Sequence, residues 1–403
     1  MKIFLFFLIF YISKCYSIIK FPILTQSLRE KKIKDETFYD LANDNLELIT
    51  FSIGTPLKEI QLSLSFQLYT FYISGSKNSK FSYNEKNSKS YKQILINETY
   101  IDDYHKGFYS SENFLLQNKI NLNNFPFILA TKNSGYLNKI GLRLMIEKEK
   151  NLPNFIFDLK KNNITKSNLW SIKFNKKTNY KTGELIIGEE YKNLNWTKVE
   201  LNYLEWTITF DEIYFNEYKI IDCRDAKFNL DFGLISIPEY FMKYLIHKYV
   251  DNINCKKIES YFYGYISFAC NKNFNISQFP SFKFFNREFR ANLTLDYNDL
   301  FYEYENLNYS LICSGKDDKY LWVLGKPFLK KFQFVFDPDN KLIAYYQHDE
   351  KFIFNKNIIY SIITIVMIII IIFLILFIKY MIKKKRKIRV NEIEEIYEYK
   401  TQE

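Results

Sequence analysis

Apolar and polar residues alternate strictly through Ile60-Gln61-Leu62-Ser63-Leu64-Ser65-Phe66. A period of two marks a half-buried β-strand, here entered from the Gly/Pro turn Ile53-Gly54-Thr55-Pro56. Short runs of the same kind follow, divided by polar loops rich in Asn, Lys and Ser, and helical periods are few. Two apolar runs break this pattern. Residues 1–17 carry Lys2, an apolar run through Ile12 and a small residue at Ser17, which predicts a secretory signal cleaved near Ser17-Ile18. Residues 358–378 carry no charge, and roughly 20 such residues cross a bilayer as a helix. Lys379, Lys383, Lys384, Lys385, Arg386, Lys387 and Arg389 follow at once, which predicts a single retained span with the tail 379–403 in the cytosol and the bulk of the chain lumenal or extracellular.

With 403 residues the chain is long enough for one large two-lobed domain or two ordinary ones. The net charge of +11 raises nucleic acid as a partner, but much of it sits in the cluster behind the span, and no nucleic-acid-binding motif occurs. The surplus of aromatics, 33 Tyr and 39 Phe, together with abundant Asn, Lys and Ile, points to biased codon composition rather than to ligand platforms. His105, His247 and His348 stand apart, His-Glu-x-x-His and Gly-rich phosphate loops are missing, and no Cys-x-x-Cys spacing occurs. Neither a metal nor a cofactor is expected.

Motifs in order along the chain carry a resemblance to the pepsin-like aspartic peptidases. The text from Ile53-Gly54-Thr55-Pro56 to Tyr72-Ile73 follows that family's first motif without a gap, with Ser65-Phe66-Gln67 on its Asp-Thr-Gly. Ala226-Lys227-Phe228-Asn229-Leu230-Asp231-Phe232-Gly233-Leu234-Ile235-Ser236-Ile237-Pro238 follows the second, with Asn229 on the Asp. Glu98 to Gly107 resembles the flap hairpin, with Tyr100 on the flap tyrosine and Ile101 and Asp103 on flap glycines. Lys139-Ile140-Gly141-Leu142, Thr182-Gly183-Glu184-Leu185-Ile186-Ile187-Gly188, Gln278-Phe279-Pro280-Ser281-Phe282 and Leu321-Trp322-Val323-Leu324-Gly325-Lys326-Pro327-Phe328 match further elements.

The resemblance implies an all-β, bilobal pepsin-like fold over 46–200 and 201–348, preceded by a propeptide-like leader at 18–45 and followed by a linker at 349–357 and the transmembrane helix. It implies peptide or protein segments as partners in the interlobe cleft, with Tyr100 and Tyr72 as substrate-binding positions. Such peptidases work by two facing carboxylates that share one proton, and both positions are substituted, by Ser65 and Asn229. Asp231 is the nearest stand-in. Two residues along a strand place it roughly 6 to 7 Å from Asn229, too far for proton transfer, which needs about 3 Å. A second alignment, with a two-residue deletion, reads Asp231-Phe232-Gly233 as the Asp-Thr-Gly. The inactive homologue is therefore the leading expectation, an endopeptidase using Asp231 the other.

Cys15 leaves with the signal, and Cys223, Cys255, Cys270 and Cys313 remain, an even number suited to an oxidising compartment. Three pairings are open, of which the resemblance implies Cys270 with Cys313, leaving Cys223 with Cys255. Asn97, Asn163, Asn195, Asn275, Asn292 and Asn308 each open a glycosylation sequon. Nothing in the chain sets an oligomeric state.

Overall fold

Strands supply nearly all of the architecture in the computed structural model, which describes residues 18–27, 45–346 and 379–380 apart from short stretches at 76–82, 96, 101–105, 118, 133–137, 192, 204, 251–254, 260–264, 305 and 315–319. Contacts divide the chain into Met1–Tyr346 and Gln347–Glu403, so the two expected lobes form a single unit. The signal at 1–17 and the span at 358–378 lie outside the described residues. Among the described residues no helix is long and apolar enough to cross a membrane.

A 14-stranded sheet runs through both halves of that unit. Its middle is built from distant segments: Phe334–Asp337 pairs with Trp170–Phe174, which pairs with Thr182–Ile187, which pairs with Ile19–Ser27. Ile19, Phe21 and Ile23 are 0 to 2% exposed, so the first part of the expected leader is a core strand between Thr182–Ile187 and Asn45–Ile53. A solvated leader would have shown its apolar side chains to water. Instead the period of two in Ile19, Phe21 and Ile23 buries one face.

The sheet's far side and the second half each hold the same three-strand arrangement. In the first, Lys58–Ser65 runs parallel to Asn138–Gly141, itself antiparallel to Phe71–Ser74. In the second, Asp225–Phe228 runs parallel to Trp322–Leu324, itself antiparallel to Ile235–Ser236. Each central strand ends at a glycine that lets the opposite turn approach. A Cβ on Gly141 would stand 2.3 Å from the Tyr69 carbonyl carbon, and one on Gly325 would stand 2.0 Å from the Leu234 carbonyl oxygen, so neither position tolerates a side chain without movement of backbone.

Lys58–Ser65 was expected to be half-buried, but Ser63 and Ser65 are 1% and 0% exposed and its inner end is covered on both faces. The turn from the second half covers Ser65, and Ser63 bonds Asn138 O within the first half. Aromatic rings fill the space between the halves: Trp170 stacks on Phe336 at 4.2 Å, with Phe66 and Trp206 edge-on to Phe336 at 5.5 and 4.9 Å. The phenylalanine surplus is thus absorbed as core, and edge-to-face pairs of this kind add to the area that they bury.

The cysteines pair otherwise than the resemblance implied. Cys255 and Cys270 lie directly opposite each other on the antiparallel strands Cys255–Glu259 and Ile266–Asn271 and form a disulfide. This corrects both expected bonds, Cys270–Cys313 and Cys223–Cys255, since each bond needs one of these two residues. Cys223 and Cys313 carry thiols.

Candidate functional site

Ser65 is the last residue of Lys58–Ser65, in register with Gly141. The chain then turns through Phe66 and Gln67 toward Phe71–Ser74. The turn is anchored at both ends: Leu142 N donates to Ser65 O at 2.8 Å, and the Phe66 ring packs against Trp170 at 5.3 Å. Asn229 stands in the corresponding place of the second arrangement, one residue past Asp225–Phe228, with its N–H donating to Leu324 O at 3.1 Å. Both expected dyad positions are buried, Ser65 at 0% and Asn229 at 5% exposure.

Asp231 is not two residues along a strand. The strand ends at Phe228 and residues 230–231 form a turn, so the chain doubles back and carries the Asp231 carboxylate across to the first half. The Ser65 hydroxyl donates to Asp231 Oδ2 at 3.1 Å, Phe66 N donates to the same oxygen at 2.7 Å, and Gln67 N donates to it at 3.2 Å. The expected separation of Asp231 from the floor is thereby corrected. Asp231 N in turn donates to Asn229 Oδ1 at 3.0 Å. By register, Asn229 follows Phe228, which lies opposite Leu324, much as Ser65 follows Leu64, which lies opposite Ile140.

Among the described residues, these contacts bring together at the floor the Asp231 carboxylate, the Ser65 hydroxyl and the Asn229 carboxamide. Proton sharing between two acids needs a second titrating partner at hydrogen-bond distance. The donors that reach Asp231 are a serine hydroxyl and two backbone N–H groups. What the arrangement does is mechanical and electrostatic: one oxygen from the second half gathers three donors from the first.

The other expected positions divide. Thr99–Tyr100 pairs with Lys106 and Gly107, so the base of the expected flap hairpin is present, while 101–105 lie outside the described residues. Tyr72 is 1% exposed and packs with Ile128 and Ala130, so its ring is core and does not line the groove. Asn97, Asn163, Asn195, Asn275 and Asn292 are exposed, but Asn308 is 7% exposed within Leu307–Ser310. Among the described residues no group of His, Cys, Asp and Glu has the geometry to hold a metal ion.

Two charged residues near the floor escaped sequence reasoning. Glu47, on Asn45–Ile53, is 2% exposed, and Lys326, the first residue of the helix Lys326–Lys331, is 4% exposed. Lys326 Nζ lies 3.3 Å from Glu47 Oε2, and Lys330 Nζ lies 3.7 Å from Glu47 Oε1. Lys326 N also donates to Phe232 O at 2.8 Å, next to Asp231. Lys326 occupies an aspartate position of the resembled motif, which was its one legible sign. Glu47 gave none.

A comparison with curated proteins finds no match. The family model for eukaryotic aspartyl protease matches residues 49–347, which include both three-strand arrangements and the floor between them. The chain belongs to the eukaryotic aspartyl protease family.

Proposed function

We propose that this protein is an aspartic-peptidase homologue that binds peptide or protein segments between its lobes without cleaving them, and that a single C-terminal span holds it at a membrane with the lobes lumenal or extracellular. The observation that carries the reading is the floor. Neither expected dyad position has an acid, and the Asp231 carboxylate directs Oδ2 at Ser65, Phe66 and Gln67. Loss of one general acid or base typically costs on the order of 10² to 10⁴ in rate, and here both positions are changed.

One observation favours a second reading, an endopeptidase that uses Asp231: this carboxylate does reach Ser65, at 3.1 Å. The two readings separate in one assay, turnover of a fluorogenic peptide library at acidic pH by the purified full-length chain. The binding reading expects no turnover by the natural chain, retention of library peptides on the immobilised protein, and cleavage only after Ser65→Asp, Asn229→Asp and Asp231→Gly are combined. Turnover by the natural chain that Asp231→Ala abolishes would replace it with the second.

A further inference from the structure

We propose that the turn Ser65-Phe66-Gln67 is a carboxylate-binding nest whose built-in occupant is Asp231, and that a carboxylate on the bound segment displaces it. The inference rests on the binding reading above and names the chemistry that the groove selects. Three donors converge on a single oxygen: Ser65 Oγ at 3.1 Å, Phe66 N at 2.7 Å and Gln67 N at 3.2 Å. Successive backbone N–H groups aimed at one point form an anion-binding concavity, and such concavities capture carboxylates, peptide C-termini among them.

The nest is built independently of its occupant. Ser65 is held in register with Gly141, Leu142 N donates to Ser65 O at 2.8 Å, and Phe66 is wedged between Trp170 and Phe336 at 5.3 and 5.5 Å. None of these contacts involves Asp231, so the donors stay aimed when its side chain leaves. Asp231 is half-buried, sits in a turn outside the strands, and is steered by one backbone contact of its own, to Asn229. Gln67 is exposed, so the nest opens to solvent on that side. An internal carboxylate competes at high effective concentration, which masks the site in the natural chain.

A carboxylate reaches such a site from a peptide C-terminus or from an Asp or Glu side chain, and the experiment separates the two. The full-length chain and its Asp231→Ala variant are melted in formate, in formamide and in chloride at equal ionic strength. Formate is expected to raise the melting temperature of Asp231→Ala by about 2 °C or more over chloride, with no such shift in the natural chain or with formamide, and a smaller one when Ser65→Ala is added. Equal melting in formate and chloride overturns the proposal. Should Asp231→Ala not fold in chloride, recovery on refolding in formate supports the nest, and no recovery overturns it. Peptides retained by Asp231→Ala are then offered with free and amidated C-termini and with Asp and Glu changed to Asn and Gln. The change that weakens binding at least fivefold names the source, and equal binding of all forms overturns the displacement. Absence of any retained peptide would defeat the binding reading while the formate result still decides the nest.

Discussion

Asp158 lies in the helix Phe155–Lys161, behind the first-half turn, and is 9% exposed. Burial pushes its pKa up from 3.8 to about 6, against the opposing pull of the Asn154 N–H and Lys161. A carboxyl whose pKa is raised on folding favours the native state at pH below the unfolded value and loses that contribution as pH climbs to the folded one. Stability from this group is therefore expected to fall between about pH 4 and pH 6 and stay flat above. Asp158→Asn, which keeps an acceptor for Asn154 N, should remove that slope and raise stability at pH 7 by up to about 3 kcal/mol, as urea unfolding at pH 4 and pH 7 would measure. Cys223 makes a second prediction. Burial, then the neighbouring Asp222, pushes its thiol up, and Cys313 is 0% exposed. Iodoacetamide should label Cys223 slowly in the folded chain and Cys313 only after denaturation, with Cys255 and Cys270 protected until reduction, a pattern that peptide mass mapping reads directly. At this scale the motif text, which needs no gap, singles out Ser65 and Asn229, and each stands at the end of a strand in its own three-strand arrangement. It concealed what Asp231 does, because Leu230-Asp231-Phe232 looks like continuing strand and the reversal after Phe228 has no Gly or Pro at its corner.

The helix Lys326–Lys331 and the strand Asn45–Ile53 meet through Lys326, Lys330 and Glu47, in a site where burial pulls the Lys330 ammonium below its ordinary pKa against the attraction of Glu47. Removing one member of a buried pair leaves an uncompensated charge and costs about 3 to 5 kcal/mol, whereas replacing both with apolar groups of like volume is often neutral. Glu47→Gln should lower stability by about 3 kcal/mol or more, and Glu47→Leu with Lys326→Met should restore much of it. Denaturant midpoints of the single and double variants, compared at one pH, test both halves. Strand existence was legible from the period of two and from turn residues. Strand partnership was not: the bond between Cys255 and Cys270 follows from the register of Cys255–Glu259 on Ile266–Asn271, and nothing local in the text encodes which strand lies beside which.

Across the whole molecule, a mostly β fold is present in the described residues, and the long sheet makes the two expected lobes one body. The proposed membrane span rests on the apolar run at 358–378 and the basic cluster behind it. The full-length chain is expected to stay with membranes through alkaline carbonate extraction, and a chain ending at residue 357 to be released; recovery of the full-length chain in the soluble fraction would remove the anchor from the account. A last consequence attaches to the strand Ile19–Ser27, which is hydrogen-bonded on one side to Asn45–Ile53 and on the other to Thr182–Ile187. On the ribosome this segment emerges before either neighbour, and the second, Thr182–Ile187, is made about 130 residues after the first. Phe51 and Phe155 can cover Phe21 before that strand exists, but the free edge of Ile19–Ser27 stays unpaired until Thr182–Ile187 has been made.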